Sequence, residues 1–167
     1  MQNHFELFAL PARYAIDTTQ LERAYREVQS KVHPDKFVQS GEAEKRVAMQ
    51  WATRANEAYQ VLKKPLPRAT YLCQLHGIDL QTESNTSMPV AFLIQQIEWR
   101  EAFDDARAAA DTAALHALEA ELTTSLKTML AALASSFDDS NFSAATEHIR
   151  ACMFIEKFLQ DIAALDD

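Results

Sequence analysis

The sequence predicts an all-α protein made of two helical modules. Three observations carry that prediction. The 167 residues include only 2 glycines, which argues against Gly-rich phosphate loops, dinucleotide-binding turns and tightly turned β-sandwiches. Alanine, leucine, glutamate and glutamine dominate, a helix-favouring composition. Apolar positions recur at spacings of three and four, the period of one helical face. The modules differ in charge. Residues 1–77 carry 11 Lys/Arg against 8 Asp/Glu, a balance of +3, whereas residues 78–167 carry 5 against 16, a balance of −11. So uneven a division points to modules that meet different partners. The acidic second half speaks against nucleic-acid backbone binding as the main task.

Taken in chain order, Asn3 with Glu6 three residues on forms a capping-box signature for a short helix over residues 5–10, stopped by Pro11. Asp17 with Gln20 repeats the signature and opens a second helix to about Val32, with Leu21, Tyr25, Val28 and Val32 on one face and Arg23, Arg26, Glu27 and Ser30 on the other. Pro34 ends it, because the residue before a proline is pushed out of the helical region. After a loop containing Gly41, a third helix is predicted over residues 42–64, its stripe being Ala48, Trp51, Ala52, Ala55, Ala58, Tyr59 and Leu62. Two long helices joined by so short a loop pack antiparallel, with the first helix laid across them. Pro65 and Pro67 break the chain, and a short helix over residues 68–76 ends at Gly77, a suitable C′ residue.

Residues 1–76 thus form the first module, residues 77–87 a polar linker, and residues 88–167 the second module. The latter holds three helices, over about 88–109, 112–134 and 140–165, capped by Asp111 and by Asp139 or Ser140. Leu115, Leu118, Leu122, Leu126, Met129, Leu130 and Leu133 make one continuous stripe, and short connections imply an antiparallel three-helix bundle.

Signals for catalysis are weak. His4, His76, His116 and His148 lack metal-ligand spacing with Cys, Asp or Glu, so no metal or cofactor is expected. Asp104-Asp105, Asp138-Asp139 and Asp166-Asp167 read as exposed faces, caps and a tail, not as paired catalytic carboxylates. Ser135-Ser136 has no identifiable His/Asp partner, and Trp51 and Trp99 read as packing residues. Cys73 and Cys152 sit far apart without a CxxC, which fits a reduced cytoplasmic protein. No apolar run of membrane-spanning length or signal peptide is visible, so no membrane partner is expected.

Two places carry binding chemistry. His33-Pro34-Asp35 lies between the two long helices, where Pro34 holds His33 and Asp35 at a rigid tip. Asp35 can accept a bidentate bond from an arginine, His33 can donate or accept beside it, and Arg23, Arg26, Lys31 and Lys36 would steer an acidic partner. The bare tripeptide is also ordinary helix punctuation that suits the helix dipole. In the second module, the apolar arc of residues 90–103 is too wide for one seam. Phe92, Trp99 and Phe103 cluster on one side, and Val90, Leu93, Ile94 and Ile97 lie about 100° away. Glu98 and Glu101 edge the second cluster, giving the composition of a patch with a polar rim. In the last helix Ala151, Ile155, Phe158 and Ile162 form the core stripe, and Ile149, Met153 and Phe154 fall off it.

A basic helix, His-Pro-Asp and a second antiparallel helix together resemble the J-domain, the module that stimulates the ATPase of DnaK-type chaperones. Phe5-Glu6-Leu7-Phe8-Ala9-Leu10-Pro11, His33-Pro34-Asp35-Lys36-Phe37, Asn56-Glu57-Ala58-Tyr59-Gln60-Val61-Leu62, Pro65-Leu66-Pro67-Arg68-Ala69 and Tyr71-Leu72-Cys73-Gln74-Leu75-His76-Gly77 resemble more narrowly the HscB family, co-chaperones of iron–sulfur cluster biogenesis. The resemblance covers nearly the whole chain. Val32 stands where J-domains usually have tyrosine, and no tetracysteine zinc site precedes the module, as in bacterial members. The resemblance implies an HscA-type chaperone as partner of His33, Pro34, Asp35, Arg23, Arg26, Lys31 and Lys36. It implies the scaffold protein IscU as partner of Leu93, Ile94, Ile97, Glu98, Glu101 and Phe154, with Ile94 and Ile97 where relatives often have Met and Leu. The activity implied is ATPase stimulation and scaffold delivery without catalysis. Three alternatives stay open on the residues alone: a general co-chaperone for unfolded clients, a purely structural protein whose tripeptide is a helix stop, and a helical nucleic-acid binder using Arg23 and Arg26.

Overall fold

In the computed structural model, which describes residues 2–80 and 88–166, the chain divides into two compact units, Met1–His76 and Gly77–Asp167. Among the described residues there is no strand, so the fold is all-α as the composition predicts. Part of the expected linker, residues 81–87, lies outside the described residues.

The first unit begins with α1 (His4–Leu7), shorter than expected. Asn3 accepts from the Glu6 amide at 2.8 Å and donates to the Glu6 carboxylate at 2.9 Å, so the capping pair is made. The helix then closes on itself at Ala9, at φ 53°, with the Ala9 amide donating to Glu6 and the Leu10 amide to Phe5. That is a Schellman closure without glycine. α2 (Thr18–Val32) is capped by Asp17, which accepts from the Thr19 and Gln20 amides. α3 (Glu42–Leu62) packs on it as a hairpin. Ala48, Ala55 and Ala58 are the small buried residues of α3. Between the two helices the Tyr25 and Tyr59 rings stack 4.2 Å apart, and the Tyr25 hydroxyl donates to Asn56. Trp51, read as a packing residue, is 36% exposed and lies under the Arg54 guanidinium.

α4 (Pro65–Leu75) starts three residues earlier than expected. Pro65 occupies the first position and Pro67 the third, where no amide has an intrahelical partner to lose, so the prolines start this helix instead of breaking it. The same segment delivers Arg68 into the interior, 7% exposed. Its Nε donates to the Tyr14 carbonyl at 2.6 Å and its Nη1 to the Leu62 carbonyl at 2.8 Å. One side chain thereby closes the C-terminus of α3 and pins the loop before α2. Gly77 follows at φ +82°, the left-handed residue expected there.

The second unit contains α5 (Val90–Ala108), α6 (Thr112–Asp138) and α7 (Phe142–Ala163). Its core joins Phe92, Trp99 and Phe103 of α5 to Leu118 and Leu122 of α6 and to Ala151, Ile155, Phe158 and Ile162 of α7. α6 runs a turn further than expected, because Ser136 is buried with its hydroxyl donating to Ala132 and Phe137 packs edge-on against Phe142. The cap of α7 is therefore Asn141, not Asp139 or Ser140; its side chain accepts from the Ala144 amide at 3.1 Å. Both turns use one device. Ala110 and Ser140 take φ of 51° and 53°, and Asp111 and Asn141 donate back to Ala106 and Ser136 while capping the next helix. One residue thus ends one helix and begins the next. Ile149, read as off the core stripe, is fully buried.

Candidate functional sites

The His33-Pro34-Asp35 tip is shaped by its backbone. Pro34 forces His33 to φ −59°, ψ 134°, which stops α2, and Pro34–Phe37 then turns as one stretch of 3-10 helix where an irregular loop was expected. The Lys36 amide donates to the His33 carbonyl at 3.0 Å. The Asp35 amide donates to His33 Nδ1 at 3.2 Å. A ring nitrogen that accepts carries no proton, so in this arrangement His33 presents Nε2–H outward. The Asp35 carboxylate stands 3.6 Å from the same Nδ1, a distance that becomes an ion pair only when the ring is protonated. The two side chains are 58% and 88% exposed. The tip therefore offers a ring donor held by the Asp35 amide and, beside it, an open carboxylate.

Arg23 and Arg26 are exposed on α2 and line a shallow depression with Thr19, Glu22, Glu27 and Ser30. The face alternates in sign, so it favours a partner of matching charge pattern over a uniformly acidic one. Lys31 is exposed on the last turn, and Lys36 reaches back to the Ser30 hydroxyl at 3.4 Å. Sequence reading missed a hollow of about 420 Å³ beside the tip, into which Val38 and Met49 project with most of their surface exposed. The available signal was two large apolar residues, Val38 in the connection before α3 and Met49 off the α3 stripe.

In the second unit α5 has two apolar faces. Phe92, Trp99 and Phe103 are buried, and the Trp99 indole donates to Glu121 at 3.2 Å. On the other arc Val90, Leu93, Ile94 and Ile97 are 71%, 42%, 52% and 58% exposed. Glu98 and Glu101 are exposed beside them, with Glu98 accepting from Gln95 at 3.5 Å. Phe154 links the two faces. It packs edge-on against Phe92 at 5.9 Å and stacks on Trp99 at 6.4 Å, while its remaining surface lines a depression with Gln96, Ile97, Arg100 and Glu101. The structure thus brings Ile97, Glu101 and Phe154 together around one hollow, and Leu93, Ile94 and Glu98 continue the surface along α5. Met153 next to Phe154 is also exposed.

One comparison decides the family: the chain is 52% identical to the co-chaperone protein HscB homolog of Burkholderia mallei over 162 residues, 97% of this chain and 93% of that protein. The chain belongs to the HscB family of co-chaperones. Residues 88–163 also match the family described as the HSCB C-terminal oligomerisation domain. The chaperone HscB from Vibrio cholerae superposes with a TM-score of 0.85 at 36% identity, covering 99% and 98% of the two chains. The human co-chaperone protein HscB superposes with a TM-score of 0.91 at 28% identity, covering 99% of this chain and 83% of that one. The Burkholderia mallei and human relatives are named as co-chaperones and the Vibrio cholerae one as a chaperone.

Among the described residues no group of three or more His, Cys, Asp or Glu is placed to hold a metal ion, and no helix is long and apolar enough to cross a membrane. Cys73 and Cys152 are buried, and burial pushes the Cys152 thiol up to about 12, which leaves it protonated and unreactive at neutral pH. His4 stands in the first turn of α1. Its ring also stacks on Tyr71 at 4.4 Å, and its amide donates to the Tyr71 hydroxyl at 3.0 Å.

Proposed function

We propose that this HscB-family chain is a two-ended adaptor. The His33-Pro34-Asp35 tip and the exposed α2 face dock on an HscA-type, DnaK-family chaperone and promote its ATP hydrolysis, and the outer face of α5 with Phe154 holds the iron–sulfur scaffold protein IscU. The observation that carries the reading is the second apolar face of α5: Leu93, Ile94 and Ile97 are left in water although Phe92, Trp99 and Phe103 already supply the helix's share of the core. An exposed apolar surface with an acidic rim, backed by a half-buried aromatic ring, has the make-up of a protein-binding surface.

The two ends act by different physics. Holding scaffold and chaperone in one complex makes their meeting effectively intramolecular. Stimulation requires that His33 and Asp35 contact the chaperone's hydrolysing conformation better than its resting one, since a ligand shifts an equilibrium only by its differential affinity. The test is the steady-state ATPase rate of purified HscA-type chaperone with this protein and IscU added singly and together. The expected result is synergy of the two, abolished by His33→Gln in a protein whose thermal unfolding is unchanged. Stimulation without synergy removes IscU as the client. No stimulation by folded protein returns the tripeptide to being a helix stop.

A further inference from the structure

A cavity not yet given a role lies in the three-helix unit, on the flank of α5 away from Leu93, Ile94 and Ile97. It measures about 340 Å³, at the small end of ligand pockets. Phe92 and Trp99 of α5 and Ala151 of α7, all buried, form its floor. It stays open because small residues meet there, Ala91 from α5, Ser125 from α6 and Ala151 from α7. Met88 and Met129 are half-buried in its wall, flexible side chains that repack around guests of differing shape. The polar lining is Gln95, Ser125, Glu147 and His148, with no lysine or arginine. Among the described residues the half-buried Glu147 carboxylate is in no ion pair.

We propose that this cavity binds a small amphipathic amine, its apolar body on Phe92 and Trp99 and its protonated nitrogen meeting Glu147. The site is separate from the surfaces read as chaperone and scaffold contacts and does not depend on that reading. Charge selects the head of the ligand. A carboxylate without a cation, in a half of the chain whose balance is −11 over residues 78–167, attracts a cation and repels an anion. Gln95 adds an acceptor, because its amide nitrogen donates to Glu98 and its carbonyl oxygen is left for a guest. Volume selects the body. At the roughly 30 Å³ that one heavy atom occupies in a liquid such as water, the cavity takes about eleven non-hydrogen atoms. The surroundings select a small molecule over a protein segment. Val90, Leu93, Ile94 and Ile97, the large exposed apolar residues of α5, lie on the other arc of the helix. The cavity mouth therefore has no apolar apron on α5 over which a protein interface could spread.

The experiment uses the full chain carrying Trp51→Phe, which leaves Trp99 in the cavity floor as the one tryptophan and its fluorescence as the reporter. Three probes share one body and differ in the head: 4-phenylbutylamine, 4-phenylbutanol and 4-phenylbutyrate. The amine is expected to change Trp99 emission with a Kd on the order of 0.1 mM, ordinary for a ligand of about eleven atoms. The alcohol is expected to bind about tenfold more weakly, and the carboxylate more weakly again. Glu147→Gln is expected to bring amine and alcohol within about twofold of each other while leaving the alcohol's affinity unchanged. Ser125→Leu and, at the exposed wall, Ala91→Leu each add bulk to the lining, and each is expected to weaken all three probes about tenfold. The two positions lie on different helices, so one folded variant suffices, and melting temperatures report which is folded. Equal affinity for the three heads overturns the ligand class. Unchanged affinity in a folded Ser125→Leu or Ala91→Leu protein puts the probe elsewhere and overturns the site. No change in Trp99 emission and no heat of binding up to about 10 mM amine, a hundredfold above the expected Kd, overturns both.

Discussion

The tip after α2 and the outer face of α5 solve the problem of staying exposed in opposite ways. At the tip the exposed groups are polar and at home in water, so what must be held is the backbone, and Pro34, the 3-10 turn and the Asp35 amide on His33 Nδ1 hold it. On α5 the exposed groups are apolar, so what must be held is the other side of the helix. Phe92, Trp99 and Phe103 anchor that side deeply enough to leave Leu93, Ile94 and Ile97 uncovered. A polar contact surface therefore depends on turn geometry, and an apolar one on surplus packing behind it. Substitutions that separate backbone from side chain, and inner face from outer, test whether that distinction is real.

The largest effect is expected across α5 itself. Trp99 is 3% exposed and packs on Phe92 and Phe154, so Trp99→Ala is expected to cost about 3–5 kcal/mol, the usual cost of removing a core aromatic. Ile97, two residues earlier on the other face of α5 and 58% exposed, is expected to change stability by less than about 0.5 kcal/mol on truncation to Ala. Its scaffold affinity is expected to fall about tenfold, as for a central interface residue. Urea unfolding and calorimetric titration with IscU read the two quantities separately. Equal stability losses at both positions would show that α5 has one continuous apolar face, not two.

At the tip the decisive substitution removes no contacting group. Pro34→Ala leaves His33 and Asp35 in place but frees His33 to return to the helical region, so α2 extends and the tip loses its shape. The expected outcome is loss of most chaperone stimulation with stability changed by about 1 kcal/mol or less. Backbone chemical shifts for residues 32–36 would report the added helical turn. Full stimulation by this variant would mean that the side chains alone carry the contact.

How much of this was legible in the sequence follows the same line. The tip was readable because proline acts locally: the residue before Pro34 is constrained whatever the tertiary context. The two faces of α5 were readable as an excess of apolar arc, but periodicity cannot tell which face turns inward, since that depends on what α6 and α7 bring to meet it. Ile149 shows the same limit, lying off the narrow stripe yet fully buried. Pro65 and Pro67 were misread as breaks because proline is equally at home in a first turn. Arg68 could be quoted as part of a motif, but its two carbonyl partners, Tyr14 and Leu62, are 54 and 6 residues away. No local signal announces a side chain that closes one helix and tethers a distant loop.

The turns give a smaller and opposite prediction. Ala110 and Ser140 hold positive φ with a Cβ, a conformation that glycine adopts without strain. Ala110→Gly and Ser140→Gly are each expected to raise stability by about 0.5–1 kcal/mol, the strain relieved less the extra freedom of glycine in the unfolded chain. Gly77→Ala, at φ +82°, is expected to lower it by about 1 kcal/mol. The bundle substitutions leave both contact surfaces untouched, so scaffold affinity should not move with them. A change there would tie the α5 face to the turn that ends its helix.

The smallest effect contrasts two histidines within the first unit. His33 is open at the tip, whereas His4 is partly covered against Tyr71. Burial lowers the His4 pKa below its ordinary value, with Arg54 acting in the same direction and Glu57 opposing. The sign follows directly. Above about pH 6.5 His4 is neutral in both folded and unfolded chains and contributes no pH dependence. As pH falls below that value the unfolded chain takes up the proton first, so stability declines until the folded-state pKa is passed and is level thereafter. His4→Gln removes the titrating ring and keeps the backbone amide that donates to Tyr71. Melting temperatures of wild type and variant at pH 7.5 and pH 5 isolate the effect from every other acid-titrating group. The wild type should lose slightly more than the variant on acidification, by a margin well below that of any substitution above. Parallel losses would place the His4 ring in an environment no different from water, and the α1–α4 contact would then rest on Phe5 and the Tyr71 hydroxyl alone.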